Sequence, residues 1–367
     1  ALSLPLWIAQ IRGLVHLQGY LQFLTWHSHE MLFGFAAAVL AGFLLTAVRQ
    51  WSSLPTPQGA ALAGMVLLWM LGRVFMLTGP PVPGALVDAA FLPTLALSVC
   101  IPLWRSRNLH SLALVTLVLG ALTLANSTFH LAHLGIWAAE LEPLSIIVAL
   151  DVVVLLMTVM GGRIIPAFIA NAAPWAGARR RTGVERAAVG LVFLILAGDV
   201  LSIWTTLPAV LWVTLLAGAA LVHGWRLLLW NPWATRGNAL LLVLPLSYAW
   251  IPVAFAIRAS SMVTENIPSA LAIHALAVGA MGGRMLAMMT RSALGHSGRR
   301  LVAGRADVLA YMLLHSAALI RVFLPLASSQ LYSTALMGAA LCWTGAFAVF
   351  LVRYFGILTQ PRIDGAP

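Results

Sequence analysis

The sequence predicts an all-α polytopic membrane protein of about twelve transmembrane helices, the first of them truncated. Three observations carry this. Of 367 residues, 61% are hydrophobic and 8% charged, where a soluble domain carries roughly 25% charged residues. Mean hydropathy is +0.96. Apolar stretches of about 20 residues, the length a bilayer requires, recur along the whole chain. The connections between them are short, so residues 1–367 read as a single transmembrane helical bundle with no soluble domain.

Residues 1–9 are apolar but end at Gln10 and Arg12, too short to cross a bilayer. They read as the tail of a first helix. A signal peptide would need a basic n-region and a cleavage site, and neither stands here. Eleven full spans follow. The second helix, near 27–48, closes at Arg49; the third lies near 59–78. The fourth, near 85–104, closes at Arg105 and Arg107. The fifth and sixth, near 110–135 and 143–168, enclose Glu140 and Glu142. Arg179, Arg180 and Arg181 precede the seventh, near 184–205. The eighth and ninth, near 209–229 and 238–258, flank Arg236. Glu265 precedes the tenth, near 269–292; Arg299, Arg300 and Arg305 precede the eleventh, near 306–327. The twelfth, near 333–356, ends at Arg353.

The net charge of +11 comes from 21 arginines and no lysine. They are scattered over short loops, which excludes a nucleic-acid surface. They also alternate. The loops at Arg49, Arg105, Arg179, Arg236, Arg299 and Arg362 are basic, and the opposite loops hold Glu140, Glu142 and Glu265. The positive-inside rule puts the basic set in the cytoplasm, with both termini there once the first helix is restored. Cys100 and Cys342 lie in separate apolar runs, too isolated for a disulfide scaffold or an iron–sulfur site.

An internal repeat is visible. MGGRIIPAF (160–168) and MGGRMLAMM (281–289) stand 121 residues apart, and AGFLLTAV (41–48) aligns one period earlier. Three four-helix units in a pseudo-threefold arrangement follow, with helices 2, 6 and 10 equivalent. The rival reading is small-residue packing. Arg163 and Arg284 follow the two glycine pairs and read as snorkelling to headgroups.

Intramembrane ionisable groups are functional candidates. HSHE (27–30) stands at a helix entrance. In a regular helix His27 and His29 diverge by about 200° and cannot bind one metal together. Glu30 either orients an imidazole or sits favourably at a helix N-terminus. In NSTFHLAH (126–133), Asn126, His130 and His133 share a stripe, suited to metal or haem ligation or to an interhelical hydrogen-bond network. On the tenth helix His274 shares a regular face with Met281 and Met285. His315 is a further buried candidate. Arg73 and Arg321 suit haem propionates. Asp151 and Asp199 suit proton relay or pairing with arginine. His110, His223 and His296 read as structural, and His16 lies outside the spans.

The segments HSHEMLFGFAAAVLAGFLLTAV (27–48), NSTFH (126–130), MGGRIIPAF, SYAWIP (247–252) and ALAVGAMGGRMLAMMTRSALGHSGR (275–299) resemble the NnrS family. The likeness runs from about residue 26 to 300 and weakens beyond. It implies a bacterial inner-membrane protein with haem b and copper, acting in nitric oxide stress and denitrification. Nitric oxide or iron–nitrosyl species would be the partner, and a quinol or a periplasmic redox protein the electron donor. Members often carry a histidine before the YAW segment; here Pro245 stands near that point. The three-unit repeat is similar to the main subunit of haem-copper oxidases and nitric oxide reductases, where one haem lies between helices 2 and 10. A histidine pair on helix 7 and a histidine on helix 6 are lacking. His29 and His274 are then the first choice of axial ligands, with His27, His130, His133 and His315 for a second haem or copper. An oxidoreductase acting on nitric oxide is the leading expectation. A transporter of metal, haem or iron–nitrosyl complex and a sensor without turnover are the rivals.

Overall fold

The computed structural model describes residues 3–15 and 19–363; His16 lies outside them. The described residues are helical, with no strand. Twelve helices follow one another. A short α1 (Ser3–Ile11) precedes α2 (Phe23–Ser52), α3 (Ala60–Thr78), α4 (Pro81–Arg105), α5 (Leu109–His133) and α6 (Leu141–Ala172). Then come α7 (Thr182–Leu201), α8 (Ala209–Leu229), α9 (Ala239–Ser261), α10 (Ala270–His296), α11 (Arg305–Ala327) and α12 (Ser329–Thr359). Ten are long and apolar enough to cross a membrane, so the chain is a multi-pass membrane protein. Of the full spans expected, α7 stands outside those ten, because Glu185, Arg186 and Asp199 break its apolar run.

Helix starts follow local chemistry. The Asn108 side chain accepts from Ser111 N at 3.2 Å and caps α5. Asn238 does the same for α9 through Leu240 N at 3.1 Å. At α11, Asp307 reaches back to Gly304 N at 2.7 Å. Pro81 opens α4 where its missing N–H goes unneeded. The helix is interrupted at Ala90, between α-helical runs Pro81–Ala89 and Phe91–Arg105.

The helices divide into two compact units. The first covers Leu6–Val153; the second runs from Val154 onward and includes the start of α1. In the first, α4 packs against α2, α3 and α5. In the second, α7 packs on α8, α8 on α9, α9 on α10, and α10 on α11 and α12.

Two helices depart from α geometry. In α2, Glu30–Ala36 is a π-helix; in α10, Ala275–Gly282 is another. Such segments are rare and gather at functional sites. Each begins immediately after a histidine, His29 or His274, and each holds a glycine five residues past it, Gly34 or Gly279. A Cβ at Gly279 would enter the Trp250 indole of α9, and one at Gly34 would press on Arg73 Nη1 and lie 2.8 Å from Glu30 Oε2. The wider π turn also changes the phase of α10. The regular face expected to join His274, Met281 and Met285 is interrupted between the first two, and Met281 is fully buried.

Gly279→Ala should therefore overpack the α9–α10 contact, at a cost of about 1–3 kcal/mol. The thermal unfolding midpoint of detergent-purified protein should fall by several degrees. Gly120→Ala on α5, with nothing near its Cβ position, should leave that midpoint unchanged or raise it, since alanine favours a helix interior over glycine. Equal midpoints for both variants would count against a close Gly279–Trp250 contact.

Candidate metal centre

The first unit buries a polar cluster among apolar helices. From α2 come His29 and Glu30, from α3 Arg73, from α4 Asp88, and from α5 Asn126 and His130. Asn126 and His130 are four residues apart, so one face of α5 carries both. His29 is fully buried, and Glu30, Asp88, Asn126 and His130 are nearly so.

Asp88 is the hub. Its Oδ2 accepts from Asn126 Nδ2 at 2.9 Å, lies 2.9 Å from His130 Nε2 and lies 3.2 Å from His29 Nε2. Its Oδ1 pairs with Arg73 Nη2. Arg73 Nη1 donates to Glu30 Oε1 at 2.9 Å, and that oxygen lies 3.5 Å from His29 Nδ1. Asn126 Oδ1 sits 3.1 Å from His29 Nε2. Two carboxylates and one guanidinium, with neutral imidazoles, leave one net negative charge among these side chains. Ligand atoms of His29, Asp88 and His130 all lie within 4.8 Å of one another. Two imidazoles and one carboxylate are a set that first-row transition metals accept, and the negative balance favours a cation.

A second ring of groups backs His130. The Tyr20 hydroxyl is 3.4 Å from His130 Nδ1. His133 Nδ1 lies 2.8 Å from Glu142 Oε2, and its Nε2 lies 3.2 Å from the Tyr20 carbonyl oxygen. Burial first, and the Glu142 carboxylate second, push the Tyr20 phenol up to about 12. Its hydroxyl thus keeps its proton at neutral pH. Its oxygen can still accept a hydrogen bond from His130 Nδ1–H when Nε2 gives its lone pair to a metal.

The other residues singled out in the sequence scatter. His27 stacks on Trp7, with centroids 4.2 Å apart, and so diverges from His29. Within the stripe 126–133, His133 leaves Asn126 and His130 for Glu142. Arg73, expected beside a propionate, is held by Glu30 and Asp88 instead. In the second unit, His315 Nδ1 accepts from Trp250 Nε1 at 3.2 Å. A neutral imidazole accepting at Nδ1 carries its proton on Nε2, and that nitrogen of His315 is buried without a hydrogen-bond partner. His274 has the opposite tautomer. Its Nδ1 lies 2.7 Å from the Ala270 carbonyl, which can only accept, so the proton is on Nδ1 and the lone pair on Nε2. Arg321 donates through Nη2 to the Tyr332 hydroxyl at 3.1 Å, while its Nε and Nη1 are buried without a hydrogen-bond partner. Asp199 is held by Arg258 Nη2 through both oxygens, at 2.6 and 2.7 Å. Asp151 is buried in α6.

Asp88 is the residue of this cluster that the sequence reading passes over. An acid in an apolar span is the signal that singled out Asp151 and Asp199, and Asp88 shows it equally. Tyr20 and Glu142 carry no such signal, because Tyr20 stands in a connecting segment and Glu142 in the first turn of α6, at the edge of the apolar run.

Asp88→Asn would leave Arg73 with one carboxylate and deprive both histidines of their shared acceptor. Breaking a buried pair on one side costs about 3–5 kcal/mol. The variant should unfold at lower denaturant concentration than Asp199→Asn, because the Asp199 side chain is 9% exposed and that of Asp88 1%, their arginine partners being equally exposed. Chemical denaturation of both variants in one detergent checks this order.

A family model described as NnrS protein matches residues 1–362. A comparison with curated proteins finds no match. The match covers every described helix, including α2, α3, α4 and α5, which carry the buried cluster. The chain therefore belongs to the NnrS family, and membership gives it a role in the response to nitric oxide.

Proposed function

We propose that this protein is a redox protein of the bacterial inner membrane that handles nitric oxide at metal centres: copper at His29, Asp88 and His130, and haem b through His274. The observation that carries the reading is the buried His–Asp–His set with its ligand atoms within 4.8 Å. Bound metals would supply nitric oxide ligation and electron exchange. The surrounding residues do the rest. Arg73 offsets one of two carboxylates and leaves a charge that a cation neutralises. Glu30 would orient His29 and the Tyr20 hydroxyl would orient His130, each through Nδ1.

His29 moves from the haem to the copper site in this reading. Its ring nitrogens face Asn126, Asp88 and Glu30, all polar groups close enough to share a small ion. His274 suits haem better, because the Ala270 carbonyl fixes its tautomer as metal-ligating histidines require. Arg321, whose charge acts on His274, has buried N–H groups suited to a propionate. The rival transport reading leaned on intramembrane acids, and Asp199 is locked in an ion pair.

Metal and haem analysis of purified variants tests the assignment. His29→Ala and His130→Ala should lose copper and keep the Soret band. His274→Ala should lose the Soret band and keep copper. Exposed His110 and His296 should tolerate alanine with both groups retained. Wild-type protein without haem after haem-sufficient expression would end the haem assignment. Iron in place of copper at the His–Asp–His site would replace one metal and keep the site. Consumption of nitric oxide with an electron donor separates a turning-over enzyme from a sensor.

A further inference from the structure

The second unit holds a different buried charge cluster, around the glycine pair Gly161–Gly162 of α6. Arg226 of α8 and Arg284 of α10 are both buried there, Arg284 being 9% exposed. It therefore does not snorkel, unlike the exposed Arg163. A Cβ at Gly162 would overlap the Arg226 guanidinium, and one at Gly161 would stand 3.2 Å from Arg284 Nη1. The missing side chains let both arginines reach carbonyls one turn earlier. Arg284 Nη1 donates to Met157 O at 2.6 Å and Arg226 Nη1 to Thr158 O at 3.0 Å. Tyr248 of α9 lies beside both guanidinium groups, its ring centroid 5.7 Å from Arg226 Cζ and 5.3 Å from Arg284 Cζ. Its hydroxyl accepts from Arg226 Nη1 at 2.9 Å and lies 2.6 Å from His223 Nδ1.

The two arginines differ at one edge. Arg226 turns Nε and Nη2 to Glu185, donating to Oε1 at 3.0 Å and to Oε2 at 2.5 Å. This is the side-on fork that matches two coplanar oxygens. Arg284 has the same pair, Nε and Nη2, buried and without a hydrogen-bond partner. Thr158 Oγ1 in this cluster is also buried and unpartnered. Two guanidinium groups against one carboxylate leave a net positive charge among these side chains.

We propose that the Nε/Nη2 edge of Arg284 binds a small, planar, monovalent oxyanion in the manner in which Arg226 holds the Glu185 carboxylate. The fork selects two oxygens at fixed spacing over a spherical halide. Enclosure selects a small ion over a carboxylate on a larger molecule. One negative charge neutralises the cluster. The site is independent of the metal assignment, since none of its residues belongs to that one.

The test uses the full chain in detergent, with nitrate and formate as probes and chloride as control, all at equal ionic strength. Isothermal titration of the wild type should show saturable binding of nitrate and formate, at least tenfold tighter than chloride. Arg284→Lys keeps the charge and loses the fork, so nitrate affinity should fall at least tenfold. Arg236→Lys, at an exposed arginine outside this cluster, should bind nitrate as the wild type does. If Arg284→Lys does not fold, Gly161→Ala displaces the guanidinium instead and should weaken nitrate several-fold. An Arg284 that serves only to tie α10 to α6 gives no preference for nitrate over chloride in the wild type. That result overturns the proposal, as does unchanged affinity in a folded Arg284→Lys.

Discussion

The first unit depends on the pairing of Asp88 with Arg73. Each would be prohibitively placed alone, since a charge among apolar helices stays only when paired and hydrogen-bonded. Together they draw in the rest. Arg73 reaches across to Glu30, and Asp88 gathers Asn126, His130 and His29. Four helices are tied through one carboxylate. The interruption of α4 at Ala90 lies two residues past Asp88. Three polar partners on other helices, Asn126, Asp88 and Arg73, help to fix the rotation of α2 about its axis.

Much of the fold was legible because bilayer physics leaves little choice. Apolar length sets the spans, and arginine and proline mark their ends. The departures have local causes. The start of α2 moves from 27 to Phe23, because the apolar residues ahead of His27 continue the helix. The π segments were hidden because periodicity arguments assume 3.6 residues per turn. A pattern now visible in hindsight is histidine with glycine five residues on, HEMLFG and HALAVG, at the entry to both. It stands 245 residues apart rather than twice 121, so its register differs from that of the glycine–arginine motif.

The candidate site was half legible for a comparable reason. Residues on one helix, such as Asn126 and His130, follow from spacing. Residues converging from different helices do not. Asp88 carries the same intramembrane signal as Asp199, but only the fold shows that one meets two histidines and the other an arginine. Arg163 and Arg284 occupy equivalent positions in a repeat, yet one is exposed and the other buried. Sequence symmetry preserved the glycines; the partners that use them diverged.

The glycine pair shows how one small motif acquires a chemical role. Small residues in membrane helices are usually read as places where backbones approach. At Gly161 and Gly162 guanidinium groups approach instead, and what they find is carbonyl oxygen exposed by the absent Cβ atoms. A helix carbonyl offers a partial negative charge but not a full one. Arg226 completes its balance with Glu185, and Arg284 has only Met157 O and the face of Tyr248. The two units thus hold opposite imbalances, an excess carboxylate among imidazoles in one and an excess guanidinium beside a tyrosine in the other. In a low-dielectric interior, each imbalance is a preference for the ion of opposite sign.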